Sequence, residues 1–201
     1  MNNEHLKRFD LQFPGIWIDN EDRDLAFNIQ NILSLIQTLF IEAVASYGLF
    51  QQITPEKIRK SFEEESRYER CLNGLYAKSF VFALNGIEKL LQSLVDENMY
   101  PPIEVSKLYE EYKKVFGHLK HIRDSAIHVE DRGRGFTRKQ KPIAAQILVI
   151  GSFRDNFFTF SGENGQLYEV EISCATLDTA KEIIQKVIDS FKWTGIGIER
   201  F

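Results

Sequence analysis

Cysteine is scarce: Cys71 and Cys174 are the only two in 201 residues. Two isolated thiols build neither a disulfide framework nor a cysteine metal cluster, and a chain this long needs no staple. Both are expected to be buried and reduced. Long apolar runs are missing as well. None approaches the roughly 20 residues that cross a bilayer. The start, Met1-Asn2-Asn3-Glu4-His5, lacks the basic-then-apolar order of a secretory signal. The cytosol is therefore the default compartment, with no membrane partner. There is no phosphate-cradling glycine loop and no nucleophile elbow. Nor is there an excess of positive charge: 25 Lys and Arg face 29 Asp and Glu, a net charge of -4. The chain as a whole repels a polyanion, so any nucleic-acid contact must use a local basic patch.

What is present suits a globule with a real core. Hydrophobic residues make up 43% and charged ones 27%. One domain over residues 1–201 with a decorating insertion is the natural expectation. Residues 1–21 read as an arm. Pro14-Gly15 divides it into two short extended pieces that pack on the body through Phe9, Leu11, Phe13, Ile16, Trp17 and Ile18.

Helical periodicity fills residues 22–131. Leu25, Ile29, Ile32, Ile36, Phe40, Ala43 and Tyr47 recur at steps of three and four, and Gly48 is the expected stop. Thr54 and Pro55 suit the cap and first turn of a second helix running to about Glu97. Its glycines, Gly74 and Gly86, suit close helix packing, with a kink as the alternative at Gly74. Pro101-Pro102 ends it. A third long helix is expected from Glu104 to about Asp131, closed by Gly133 and Gly135.

Residues 143–173 change pattern. Ile143 to Ile150 is β-branched, Phe157 to Phe160 is short and aromatic, and Gln166 to Ser173 alternates. Turn residues separate them. This predicts a three-stranded antiparallel meander. A last helix is expected over 177–192, with Thr176 as its cap. The fold class is thus mainly α (α+β): an antiparallel helix bundle with a small three-stranded antiparallel sheet inserted before the last helix.

Chemistry concentrates in Arg123-Asp124-Ser125-Ala126-Ile127-His128 and the basic loop that follows it. Arginine stays charged and grips two phosphate oxygens at once. Histidine titrates near neutral pH and moves protons, which is worth about 10²–10⁴-fold. Asp124 precedes His128 by four positions, so the two share a helix face. It can orient the imidazole or hold Arg123. Arg132, Arg134, Arg138, Lys139 and Lys141 can track a phosphate backbone. On an ideal helix, however, Arg123 and His128 lie about 140° apart. Either the helix is distorted there, or each side chain works with a second subunit.

This segment resembles the motif of the HEPN superfamily: Arg, a polar residue, then His near the end of the third bundle helix. The resemblance covers roughly residues 22–131 and the last helix, and leaves out the sheet. It implies a HEPN-like bundle and a metal-independent endoribonuclease without a cofactor. It also implies a homodimer in which two motifs form one composite cleft. Arg123 would clamp the phosphate, His128 would transfer the proton and Asp124 would orient. Many such proteins are toxins or defence effectors, often paired with a nucleotidyltransferase antitoxin. Other members are non-catalytic and act as interaction or nucleotide-binding modules. Several toxins carry, two positions after the histidine, a tyrosine that receives AMP. Here that position is Glu130, a departure from that pattern.

Several blander readings compete. Arg123, Asp124 and His128 can be a charge cluster that only solvates a bundle face. His118 and His121, three apart, can be polar helix surface or two ligands of a metal whose third ligand lies elsewhere. Phe136 can stack on a base or tuck against the bundle. Glu63-Glu64-Glu65 with Arg67 and Arg70 reads as a solvated face. Phe153, Phe157, Phe158 and Phe160 read as sheet core rather than a base platform.

Overall fold

The computed structural model describes residues 7–53, 64–96, 99, 101–143 and 148–195. It is mainly helical, with a small antiparallel sheet. The described elements, in chain order, are β1 (Trp17–Ile18), α1 (Arg23–Phe50), α2 (Glu64–Leu94), α3 (Ile103–Phe116), α4 (Leu119–Ile127), α5 (Val129–Gly133), β2 (Ile150–Arg154), β3 (Phe157–Ser161), β4 (Leu167–Glu171), α6 (Cys174–Asp189) and β5 (Trp193–Thr194).

Helix α1 starts where Asp22 caps it, accepting from the amides of Asp24 and Leu25 at 3.0 Å. Its inward stripe, Ile29, Leu33, Ile36, Phe40 and Ala43, is buried. It runs two residues past Gly48, the stop the sequence suggests. Among the described helices, α1 alone is long and apolar enough, by length and composition, to cross a bilayer. Its sequence holds no unbroken apolar run, because Asn28, Gln30, Asn31, Gln37 and Thr38 interrupt it. Packing between α1 and α2 is the most extensive of any pair of elements. Gly86 serves that packing: a Cβ there would meet Leu39 Cδ1 at 2.8 Å. Gly74 has nothing near it, so close packing does not explain it, and α2 continues through it. The expected start of this helix at Thr54 and Pro55 lies outside the described residues. So do the side chains of Glu63, Glu64 and Glu65.

The single third helix expected from Glu104 to Asp131 is three helices. The first break falls at Gly117, where a Cβ would lie 2.5 Å from the Lys113 carbonyl oxygen. The second falls at His128, whose backbone leaves the helical region at φ -103, ψ 41. The buried Tyr112 hydroxyl donates to the Leu84 carbonyl at 2.9 Å and ties α3 to α2.

The meander is present, in the order β2-β3-β4. Its first strand lies at Ile150–Arg154, later than the β-branched run suggests, and residues 144–147 lie outside the described residues. Phe158 and Phe160 are buried in the same hydrophobic cluster as the helices, as expected of sheet core. Phe153 stacks between Phe50 and Phe158 at 5.7 and 4.9 Å. All three strands lie against α4, the helix that carries the arginine–histidine motif.

Helix α6 begins three residues before the expected 177. Its cap is Ser173, which accepts from the Thr176 amide at 3.3 Å. Thr176 instead donates its hydroxyl to the Glu171 carbonyl at 2.8 Å. The arm packs on the body through Phe9, Leu11 and Ile18, which are buried, whereas Trp17 is exposed. Its β1 pairs antiparallel with β5, in a tail where the sequence carries no strand signal. Both cysteines are free, but Cys71 is exposed rather than buried. Cys174 is half-buried, with the Tyr47 hydroxyl 2.9 Å from its sulfur. Burial, reinforced by Cys174, pushes the Tyr47 hydroxyl up to about 12.

Candidate functional site

Helix α4 presents Arg123 and Asp124 near its end, and the break after Ile127 sets His128 at the start of a new turn. Arg123 and His128 are both half-buried, with side-chain exposures of 21% and 28%. Arg123 donates to Asp124 Oδ1 through Nε at 3.0 Å and through its Nη2. This draws the guanidinium toward the Asp124 side of α4, the side His128 would share on an unbroken helix. Of the two roles open to Asp124, the geometry supports holding Arg123. The acidic neighbour of His128 is Asp131, with Nδ1 3.9 Å from Oδ2, inside charge contact but beyond hydrogen bonding.

Asp131 is itself held in place. Its Oδ1 accepts from Arg134 at 2.7 Å and from Gln140 at 2.9 Å. The Gln140 hydrogen bond, and then Arg134 and His128, hold this carboxyl below the usual range. Gln140 reaches it from a left-handed backbone, φ 57, which is uncommon for a residue with a side chain. The sequence suggested neither Asp131 nor Gln140. A carboxylate three residues after a histidine, on the same turn, is the local signal for Asp131. Gln140 is placed only by the fold of the loop.

The five cations of the basic loop separate into three groups. Arg132 is not available to a phosphate: it is 1% exposed and all three of its nitrogens donate within the protein. Its Nη1 donates to the Phe136 carbonyl at 2.8 Å, its Nη2 to Glu163 Oε1 at 3.0 Å and its Nε to Ser125 Oγ at 3.3 Å. Arg134 is exposed but paired with Asp131. Arg138, Lys139 and Lys141 are exposed and form no ion pair among the described residues. Phe136 tucks inward, half-buried and bridged to Pro142.

The β3–β4 turn meets this surface through Glu163. Besides Arg132, Glu163 Oε1 accepts from the Arg138 amide at 2.9 Å. That amide first, then Arg132, hold the carboxyl below its usual range, while the charge of Asp124 opposes them. Underneath, the buried Ser125 donates to the Ser161 carbonyl at 2.8 Å, and Ser161 Oγ accepts from the Val149 amide at 2.8 Å. These bonds fasten the motif helix to β3 and to the segment that leads into β2.

Among the described residues, a metal-binding arrangement appears at His128, Glu130 and Asp131, whose ligand atoms lie within 4.8 Å of one another. One imidazole and two carboxylates suit a borderline divalent ion. Asp131 would offer Oδ2, since Oδ1 is engaged. His118 and His121, the pair the sequence offers as ligands, serve otherwise. His121 stacks on Tyr168 with ring centroids 4.3 Å apart. His118 turns toward the sheet, and burial lowers its pKa despite the backbone carbonyls of Glu169 and Val115.

The His118 shift has a measurable consequence. The unperturbed imidazole titrates at 6.5 and the folded one lower. Between those values the unfolded chain binds more protons. Stability from this group is complete above about pH 6.5 and is lost as the pH falls through the lowered folded value. His118→Gln is expected to flatten that part of the profile in urea unfolding followed from about pH 7.5 to 5. An unchanged slope would contradict the burial argument. No protein-family profile, curated protein or solved structure matches the chain.

Proposed function

We propose that this chain is a HEPN-like, metal-independent endoribonuclease of toxin or antiviral-defence type. It acts in the cytosol as a homodimer with a composite Arg/His site, and a protein antitoxin is its expected partner. One observation carries the reading: a half-buried imidazole at a helix break, a guanidinium held by Asp124 five residues before it, and three exposed loop cations that form no ion pair among the described residues.

RNA supplies its own nucleophile, the 2′-hydroxyl. His128 takes its proton as the oxygen attacks the neighbouring phosphorus; the P–O5′ bond breaks to leave a 2′,3′-cyclic phosphate, and the departing 5′ oxygen takes a proton from water while His128 returns its own to solvent. Arg123 offsets the charge that builds on the phosphate oxygens, usually the larger effect. Arg138, Lys139 and Lys141 hold the strand by its phosphates.

The test is cleavage of single-stranded RNA in excess chelator. His128→Ala is expected to lower the rate by about 100-fold with an unchanged circular dichroism spectrum, and wild-type products should end in 2′,3′-cyclic phosphate. Undiminished cleavage by folded His128→Ala refutes the assignment. Cleavage that chelator abolishes and manganese or zinc restores would make His128, Glu130 and Asp131 ligands instead.

A second reading rests on a different surface. Phe27, Leu35 and Ile41 on α1 and Tyr68, Leu75 and Phe82 on α2 are exposed. Large apolar side chains grouped on two adjacent helices suit a non-catalytic interaction module. That reading expects tight association with a protein partner and no cleavage of any RNA.

A further inference from the structure

We propose that the His121–Tyr168 stack is a platform for an unpaired nucleobase of the RNA strand. This rests on the ribonuclease reading and names a second contact made by the same surface.

The two rings lie 4.3 Å apart at an interplanar angle of 20°, a parallel stack. Tyr168 covers one face of the imidazole, and His121 is exposed, so a further ring can add to the stack from solvent. The tyrosine is fixed before any ligand arrives. Its hydroxyl accepts from Asn164 Nδ2 at 2.8 Å and donates to Gln166 Oε1 at 3.2 Å. Gly162 makes room for the ring over the turn: a Cβ there would lie 2.6 Å from Tyr168 Cε2. A rigid ring loses little freedom on binding. At its hydroxyl edge Asn164 Nδ2 also donates to Gln166 Oε1 at 2.9 Å, which spends both its N–H groups and leaves the exposed Gln166 Nε2 as the donor for a base.

Position ties this platform to the motif. His121 precedes Asp124 by three residues on α4, and His128, seven residues on, caps that helix with its amide on the Asp124 carbonyl. At 1.5 Å per residue, His121 and His128 are separated by roughly 10 Å along the axis, near enough for one strand to lie across both. The turn that holds Tyr168 also holds Glu163, which binds the Arg138 amide beside the unpaired cations. Aromatic stacking next to free positive charge is how single strands are held without sequence readout. A duplex keeps its bases stacked inside, so the ligand is single-stranded.

The experiment uses the cleavage-blocked His128→Ala chain and a fluorescein-labelled single-stranded RNA of eight nucleotides, read by fluorescence anisotropy. A matching abasic oligonucleotide is the control. Tyr168→Leu and His121→Ala are each expected to weaken binding by about tenfold, as loss of one stacked base does. Tyr168→Phe should retain most of the affinity. The salt dependence should not change, because no phosphate contact is removed. The abasic strand should bind weakly and lose nothing further in Tyr168→Leu. Thermal melts establish that each variant is folded. Folded Tyr168→Leu that binds as tightly as its parent overturns the platform. So does an equal loss with the abasic strand. If wild type cleaves no RNA but binding depends on Tyr168, the platform stands and the nuclease reading falls. If no strand binds at all, both fall.

Discussion

Arg132→Ala is expected to destabilise the protein by about 3 kcal/mol, lowering the melting temperature by roughly 6–12 °C. Arg132 is 1% exposed and donates to three partners from three places in the chain. Removing it leaves the Phe136 carbonyl without its donor, and an unsatisfied buried acceptor costs about 1–3 kcal/mol. It also leaves a void where the guanidinium sat. The charge of Glu163 adds less, because that side chain is 46% exposed and water can take over its solvation. Glu163→Gln should therefore cost much less than Arg132→Ala. Arg132→Lys should fall between them, since one ammonium cannot reach all three acceptors. A melt of Arg132→Ala within about 2 °C of wild type would show that this buried cation fastens nothing.

Phe158→Ala is expected to cost more, about 3–5 kcal/mol, the usual range for emptying a buried aromatic site. Phe158 is fully buried, packs on Phe153 and Phe160 at 4.9 and 5.1 Å, and belongs to the helical core. The helices should therefore melt with the sheet, at one lowered midpoint. Circular dichroism at a helical wavelength and tryptophan fluorescence would be followed together. A helical signal that keeps its wild-type midpoint would mean that the sheet is only an ornament on the bundle.

The second variant bears on how the chain is organised. Residues 143–173 look like an insertion outside the common bundle when only local patterns are compared. In the fold they form a wall of the same core, because Phe158 and Phe160 face α4 rather than solvent. The alternation of residues 166–173 shows that one side is apolar; it does not say which helix that side meets.

The motif divides the same way. Arg123, Asp124 and His128 stand out in the sequence by residue type and spacing. The five-residue interval posed a conflict of direction; the structure adds a break at His128 and hydrogen bonds that hold Arg123 on Asp124. Arg132 and Arg138 are alike in sequence, two cations in one basic run. Burial separates them: Ser125, Phe136 and Glu163 enclose the first, while the second is exposed.

By itself the sequence determined the helices, the meander and the apolar stripes, because each is written in steps of two, three or four residues along one segment. It also determined which residue types were at hand for proton transfer and charge. Only the tertiary structure decided that the third helix breaks twice, that the tail pairs with the arm, that Gln140 reaches Asp131, and which arginine is walled in. Those outcomes hang on partners up to 177 positions apart, as in the pairing of Trp17 with Thr194. The reason is that burial and hydrogen bonding are settled between segments, by which donor meets which acceptor once water is gone.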